Sequence, residues 1–126
     1  MKLAYTALLV PDYDEAIAFY CRAMGFVVNE DSDLGDGKRW VVIAGEDGGA
    51  LLLAKARKPA EIAAVGSQFG GRVGLFAHTD DHRASRSAIE AAGGQFEEAT
   101  RYEPYGKVAV FRDPFGNRWD LIEPAR

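Results

Sequence analysis

The alternation of apolar and polar positions predicts a first module of one strand, one helix and three further strands. An apolar run over residues 3–10 is typical of a buried strand, and it stops at Pro11. Asp12 then offers an N-cap oxygen with Glu15 three residues later, and Gly25 suits the left-handed residue that ends a helix. The module closes with strands predicted over residues 26–29, 39–44 and 50–54.

The second half of the chain repeats this order. Residues 72–78 are predicted to form a strand. Thr79-Asp80-Asp81 then caps a helix that runs to Ala92. Three more strands are predicted over residues 95–99, 107–111 and 118–122.

A shift of 68 positions brings the two halves into register without a gap. It aligns Gly25 with Gly93 and Asp12 with Asp80, which indicates an internal duplication. Each half alone is too small to bury both faces of a curved sheet. The predicted fold is therefore α+β: two βαβββ modules form a curved eight-stranded mixed sheet with the helices outside. A concave sheet of this kind favours a small-molecule cavity. We expect a single domain, with module one at residues 1–55, a connector at 56–71 and module two at 72–126.

Charge and composition argue against two classes of binding partner. The 126 residues include 15 basic and 19 acidic side chains, for a net charge of −4, and the basic residues form no run or stripe. We therefore expect neither nucleic acid nor an anionic membrane as a partner. The N-terminal residues lack a signal-peptide pattern, and Cys21 is the only cysteine, which excludes an intrachain disulfide. The protein is expected to be cytoplasmic.

Two stretches carry a resemblance to a known family. The closing motif RDPFGNRWDLIEP (residues 112–124) and the opening MKLAYTALLVPDYDEAIAFYCRAMGF (residues 1–26) resemble the vicinal oxygen chelate superfamily. That superfamily includes glyoxalase I, extradiol dioxygenases, and fosfomycin- and bleomycin-resistance proteins. The resemblance implies the paired βαβββ modules, a homodimer and, in the enzymes, a divalent metal held by residues of the first and last strand of each module.

The metal-ligand positions that the resemblance implies hold poor ligands in this chain. Only Asp120, on the last strand of module two, can coordinate a hard divalent ion well, whereas open catalytic sites generally use three protein ligands. We therefore predict no cofactor. The alternative is a displaced metal at His78 and Asp120, since His78 faces the same side of its strand as residue 74. The other implied positions fall on Tyr5 or Thr6, Leu52 or Leu53, and Gly74 or Val73.

Polar groups of module two are the first candidates for a binding site. Asp120 lies between Trp119 and Leu121, so its side chain points into the cavity if theirs pack under the helices. Such an inward carboxylate needs a ligand or a partner. His78 is read either as a hydrogen-bonding or basic pocket group or as a strand-end residue, and His82 is read as a solvated residue of the first helical turn. For Asp120 the alternative partner is an arginine, namely Arg72, Arg112 or Arg118.

Five aromatic residues complete the candidate site. They could line a pocket for a flat or cationic ligand, although aromatic strand residues also belong to ordinary cores. Two of them flank a loop that enters a strand, where binding residues gather. The five are Tyr5, Trp40, Phe76, Tyr102 and Tyr105.

Three functions follow from these residues. The first is a metal-free protein that binds or sequesters a small organic ligand, like bleomycin-resistance proteins. The second is a lyase, isomerase or ring-cleaving dioxygenase of the same superfamily that uses His78 and Asp120, either with a displaced metal or by acid–base chemistry. The third is an interaction module whose cavity its own side chains fill. The sequence leaves open whether the protein is an enzyme, and we expect a homodimer.

Overall fold

In the computed structural model, which describes residues 1–126, the chain divides into two units, Met1–Val65 and Gly66–Arg126. The boundary lies inside the predicted connector, and each unit contains its own β-sheet. No helix has both the length and the apolar character required to cross a membrane.

The first unit has the predicted order of strand, helix and three-strand meander, followed by a short helix. The elements are β1 (Thr6–Val10), α1 (Tyr13–Met24), β2 (Val27–Gly35), β3 (Lys38–Ala44), β4 (Ala50–Lys55) and α2 (Pro59–Ala64). The sheet has the order β1-β4-β3-β2, and only the β1–β4 pair is parallel. A parallel pair at this place requires the crossover that α1 provides.

Helix α1 begins and ends where the sequence predicts. Asp12 Oδ2 accepts the backbone N–H of Glu15 at 2.9 Å, and Gly25 ends the helix with φ of 69°. One face of α1 is buried against the sheet, and this packing anchors the unit. The buried residues of α1 are Tyr13, Ala16, Phe19, Tyr20 and Ala23.

The second unit repeats the first in order and topology. Its elements are β5 (Leu75–His78), α3 (His82–Ala91), β6 (Gln95–Phe96), β7 (Arg101–Glu103), β8 (Gly106–Arg112) and β9 (Arg118–Pro124). The sheet has the order β5-β9-β8-β6, with β7 also on β8, and β5–β9 is the parallel pair. A shift of 68 positions places β3 on β8 from end to end. The predicted α+β fold of two βαβββ modules is confirmed.

The strand count differs from the prediction. The chain forms two sheets, of four and five strands, where one eight-stranded sheet was expected. The extra strand arises because the counterpart of β2 is split into β6 and β7. At the break, the backbone N–H of Val110 donates to the Glu98 carboxylate at 2.8 Å, so a side chain replaces a strand carbonyl.

At the start of α3 the predicted cap is confirmed, but the prediction for His82 is wrong. The N-cap is Asp81, the last residue of the predicted Thr79-Asp80-Asp81 cap, and its Oδ1 accepts the Ala84 N–H at 3.0 Å. His82 is only 2% exposed, although a solvated side chain was expected. Its backbone N–H donates to Glu123 Oε1 at 2.9 Å, which holds the first turn against β9 and covers the imidazole.

The DPFGN turn of the closing motif has a structural role. Asp113 is 4% exposed, and its carboxylate accepts the backbone N–H groups of Phe115 and Asn117, both at 3.0 Å. It also accepts the Asn117 amide and the Trp119 indole N–H, each at 3.0 Å. The motif therefore fixes the β8–β9 turn and the Trp119 ring through one buried carboxylate.

Candidate functional site

The strongest candidate site lies on the sheet face of the second unit opposite Trp119 and Leu121. Trp119 and Leu121 are each 2% exposed and form the core, so Asp120 between them points to the other face. In the register of the sheet, Asp120 is the direct partner of Phe76 on β5 and of Val110 on β8. One row across three strands thus combines an aromatic ring, a carboxylate and an aliphatic side chain.

The predicted residues Phe76 and His78 share this face with Asp120. Phe76 is 62% exposed, and His78 is also exposed. His78 pairs with Ile122, so it lies two residues further along its strand than Phe76, on the same face of the sheet. The structure therefore brings together three of the residues that the sequence singled out.

The carboxylate of Asp120 lacks a partner for one oxygen. Oδ1 is buried and accepts no hydrogen bond, and burial raises the pKa of Asp120 above its ordinary value. The alternative of an arginine ion pair is not present, because Asp120 makes no salt bridge. Arg118 and Arg112 instead bind Glu97, at 2.8 and 3.4 Å.

Arg101 is a neighbour of this face that the sequence did not single out. Its Nε donates to Glu98 Oε1 at 2.9 Å and its Nη1 to Glu103 at 3.3 Å. Its positive charge partly offsets the effect of burial on the Asp120 pKa. The missed signal is the three-residue strand β7, whose pairing with β8 places Arg101 beside Val108.

The two tyrosines of the β7–β8 hairpin have different surroundings. A hydrogen bond with the Tyr105 side chain helps to raise the pKa of Arg101, after the larger effect of Glu98. Tyr102 pairs with Lys107, on the opposite face from Arg101, and is 79% exposed. The structure thus places Tyr105 beside Arg101, whereas Tyr102 lies away from the Asp120 face.

The remaining predicted aromatics meet in the first unit. The rings of Tyr5 and Trp40 pack edge to face, with centroids 6.4 Å apart and planes at 76°. They are 42% and 36% exposed. Trp40 also lines an open groove of about 600 Å³, together with Leu9 and Leu52 of the same sheet.

The residues of the chain do not fit the metal site that the resemblance implies. No group of three His, Cys, Asp or Glu side chains could hold a metal ion. Leu53 is buried in the core, and Leu52 contributes an aliphatic wall to the groove. At Gly74 the ring of Phe69 occupies the space that a Cβ would need, so this position cannot present a ligand unless Phe69 moves.

Known proteins share this fold and sequence pattern. An uncharacterized protein of Shewanella frigidimarina (strain NCIMB 400) is 43% identical over 125 residues, which cover 97% of this chain and 93% of that protein. The solved structure of UcmS2 has 27% identity and a TM-score of 0.79, with 98% of each chain covered. TnmS3, an antibiotic binding protein from Streptomyces sp. CB03234, has 26% identity and a TM-score of 0.68, with 99% of each chain covered.

The family assignment rests on nearly the whole chain. Residues 2–121 match the family model of the Glyoxalase/Bleomycin resistance protein/Dioxygenase superfamily. This span includes β1, at the start of the first unit, and most of β9, at the end of the second. The chain therefore belongs to the glyoxalase/bleomycin resistance protein/dioxygenase superfamily.

Proposed function

We propose that this protein binds a small organic molecule on the Asp120 face of the second unit and does so without a metal ion. The observation that carries the proposal is the buried Oδ1 of Asp120, which has no hydrogen-bond partner and lies beside the exposed ring of Phe76. A ligand that donates an N–H to the carboxylate would complete its hydrogen bonding; because Oδ1 itself has almost no exposed surface, the side chain has to turn toward the ligand.

The unpartnered oxygen of Asp120 raises the free energy of the face when no ligand is bound. A buried acceptor without a donor costs about 1–3 kcal/mol, and a ligand that supplies the donor recovers that cost on binding. Phe76 offers an exposed apolar surface of the kind that aromatic ligands cover. An aromatic amine or other N–H donor therefore matches the face better than an anion.

The relatives agree with a binding role. The superfamily includes bleomycin resistance proteins, and TnmS3 is an antibiotic binding protein. Both support a search among antibiotics and similar aromatic compounds.

Calorimetric titration with bleomycin A2 and 1-naphthylmethylammonium tests the proposal. We expect saturable binding of one of these probes and a loss of about tenfold in affinity for Asp120→Asn, since the carboxylate would no longer accept a charge-assisted bond. Asp80→Asn is the matched control, because Asp80 is an exposed aspartate of the same unit. Absence of binding by both probes, or equal affinities for Asp120→Asn and the wild type, would contradict the proposal.

The second candidate function is catalysis by His78 and Asp120. The observation that favours it is their common face, with His78 one alternation along from Asp120. A lyase or isomerase would use the pair as general acid and base. Turnover of the methylglyoxal–glutathione hemithioacetal that both His78→Gln and Asp120→Asn abolish would support this function.

The homodimer that the resemblance implies remains a proposal. Light scattering on purified protein would distinguish a 13.7 kDa monomer from a particle of twice that mass.

A further inference from the structure

The groove of the first unit has an unusual concentration of positive charge. Five of the 15 basic residues of an acidic chain line it, against a single acidic residue, Glu61. Glu61 Oε1 accepts the backbone N–H of Arg57 at 3.1 Å and keeps its charge, but this one carboxylate is outnumbered by the cations. The five basic residues are Lys38, Arg39, Lys55, Arg57 and Lys58.

Only one of these cations is neutralised by a carboxylate. Arg39 binds Asp31 at 2.7 Å and Asp14 at 3.0 Å. None of the other four makes a salt bridge within the chain. The groove therefore holds several unneutralised charges close together, which repel one another and attract an anion.

Arg57 is held in place without losing its charge. Its Nη1 donates to the backbone carbonyl of Asp36 at 3.1 Å, which ties the segment before α2 to the β2–β3 hairpin. A guanidinium fixed in this way loses less side-chain entropy when it binds a ligand. Its remaining N–H groups can donate to the oxygens of a carboxylate or phosphate.

The rest of the groove is apolar and aromatic. Leu9, Leu52 and Ala54 form aliphatic wall, and Trp40 contributes an indole that is 36% exposed. The groove volume of about 600 Å³ is in the range of small-molecule sites.

We infer that this groove is a binding site for a small aromatic anion, with Trp40 against the ring and Lys55, Arg57 and Lys58 around the anionic group. The inference goes beyond the proposed function. It concerns the other unit and different residues, so it stands or falls independently of Asp120.

The test compares two probes of nearly equal shape: 1-naphthylacetate and its neutral amide, 1-naphthylacetamide. We expect the acetate to bind about tenfold more tightly than the amide at low ionic strength, and this preference to shrink as NaCl is raised. A third probe, 1-naphthyl phosphate, identifies the anionic group, because the tighter of the two anions marks the chemistry that the groove prefers.

The Trp40 indole provides a local readout by proton–nitrogen NMR, with Trp40→Phe to assign its signal. We expect 1-naphthylacetate to shift this indole signal. The indole N–H of Trp119, buried and bound to Asp113, should stay in place. Equal affinities for the acetate and the amide, or binding that leaves Trp40 unshifted, would overturn the inference.

Two double variants, each of which removes two positive charges, test the role of the groove lysines. Lys55→Gln with Lys58→Gln should weaken 1-naphthylacetate binding by roughly fivefold or more, since two charges beside the anion are lost. Lys2→Gln with Arg83→Gln removes two exposed cations outside the groove and should change affinity less than twofold. Equal effects of the two pairs would show only a dependence on net charge and would also overturn the inference. Thermal melts of both variants check that the fold is intact.

Discussion

Phe76 and Asp120 are direct register partners on the parallel strands β5 and β9. Their side chains therefore lie next to each other on the same face of the sheet. A carboxylate with one buried, unpartnered oxygen thus borders an aromatic ring that is 62% exposed. This combination places a polar anchor in an apolar surface, which is the composition of a small-molecule site.

In the absence of a ligand, this arrangement makes the ionised Asp120 side chain lower the stability of the fold. Burial raises its pKa in the folded state above the unfolded value. The folded state therefore binds this proton more tightly than the unfolded chain. The protonated Asp120 stabilises the fold fully at pH values below the unfolded pKa of about 3.9, and this stabilisation is lost as the pH rises through the folded pKa.

We therefore expect Asp120→Asn to raise the melting temperature at pH 7 by about 3 °C, because it removes an ionised carboxylate that is poorly solvated. Near pH 3 the gain should vanish, since the carboxyl is then protonated in both states. Circular dichroism melts at the two pH values measure this. An equal shift at pH 3 and pH 7 would mean that the effect does not come from ionisation.

His82 gives a pH dependence of the opposite direction. Burial lowers the pKa of its imidazole, and the nearby Arg86 acts in the same sense while Glu123 opposes it. The native state thus binds the proton less well than the unfolded chain. The free energy of unfolding is therefore lost as the pH falls below the unfolded pKa, about 6.5, and continues to fall until the pH has passed the folded pKa.

Replacement of His82 by a neutral side chain should reduce this pH dependence of stability. We expect His82→Gln to show a smaller loss of melting temperature between pH 7 and pH 5 than the wild type. Ser87→Gln, an exposed substitution on the same helix that removes no ionisable group, serves as the control and should follow the wild-type curve. If the His82→Gln curve is as steep as that of the wild type, the imidazole is not the group that titrates.

The repeated architecture could be predicted from the sequence because its signals are local. Helix α1 has an N-cap at Asp12 and a left-handed glycine at Gly25, and both functioned as expected. The sequence could not single out one cap for α3, because Thr79, Asp80 and Asp81 are all good capping residues. In the structure Asp81 caps the helix, and the next backbone N–H, of His82, binds Glu123, 41 positions away.

The candidate site could be predicted only in part, because part of it depends on contacts between residues that are distant in the sequence. Alternation along β9 is enough to place Asp120 opposite Trp119, and the β5 strand placed Phe76 on the same face. The basic groove was not predicted, because its basic residues come from three places in the chain: β3, the end of β4 and the segment before α2. In the sequence Lys55 ends the predicted module one, and Arg57 and Lys58 belong to the predicted connector; only the fold brings them beside Trp40.

The Asp113 carboxylate should be among the most important polar groups for stability. Asp113→Ala would remove the carboxylate that accepts the buried N–H groups of Asn117 and Trp119. We expect a loss of about 3 kcal/mol in the free energy of unfolding, measured with urea. Asp33→Ala is the matched control: Asp33 accepts one N–H, from Gly35 at 2.8 Å, but is exposed, so water can replace it. A loss for Asp113→Ala no larger than that of the control would contradict the role of the buried carboxylate.

Gly74 is expected to be required for packing, because the ring of Phe69 lies where a Cβ would be. Gly74→Ala should therefore lower the free energy of unfolding by about 2 kcal/mol through overpacking. Gly49→Ala is the control, since nothing lies within 4 Å of the added Cβ and its φ is not positive. The decisive comparison is a double-mutant cycle with Phe69→Ala, measured by urea unfolding. If the ring causes the strain, Gly74→Ala should cost far less when Phe69 is already truncated, and an unchanged cost would place the strain elsewhere.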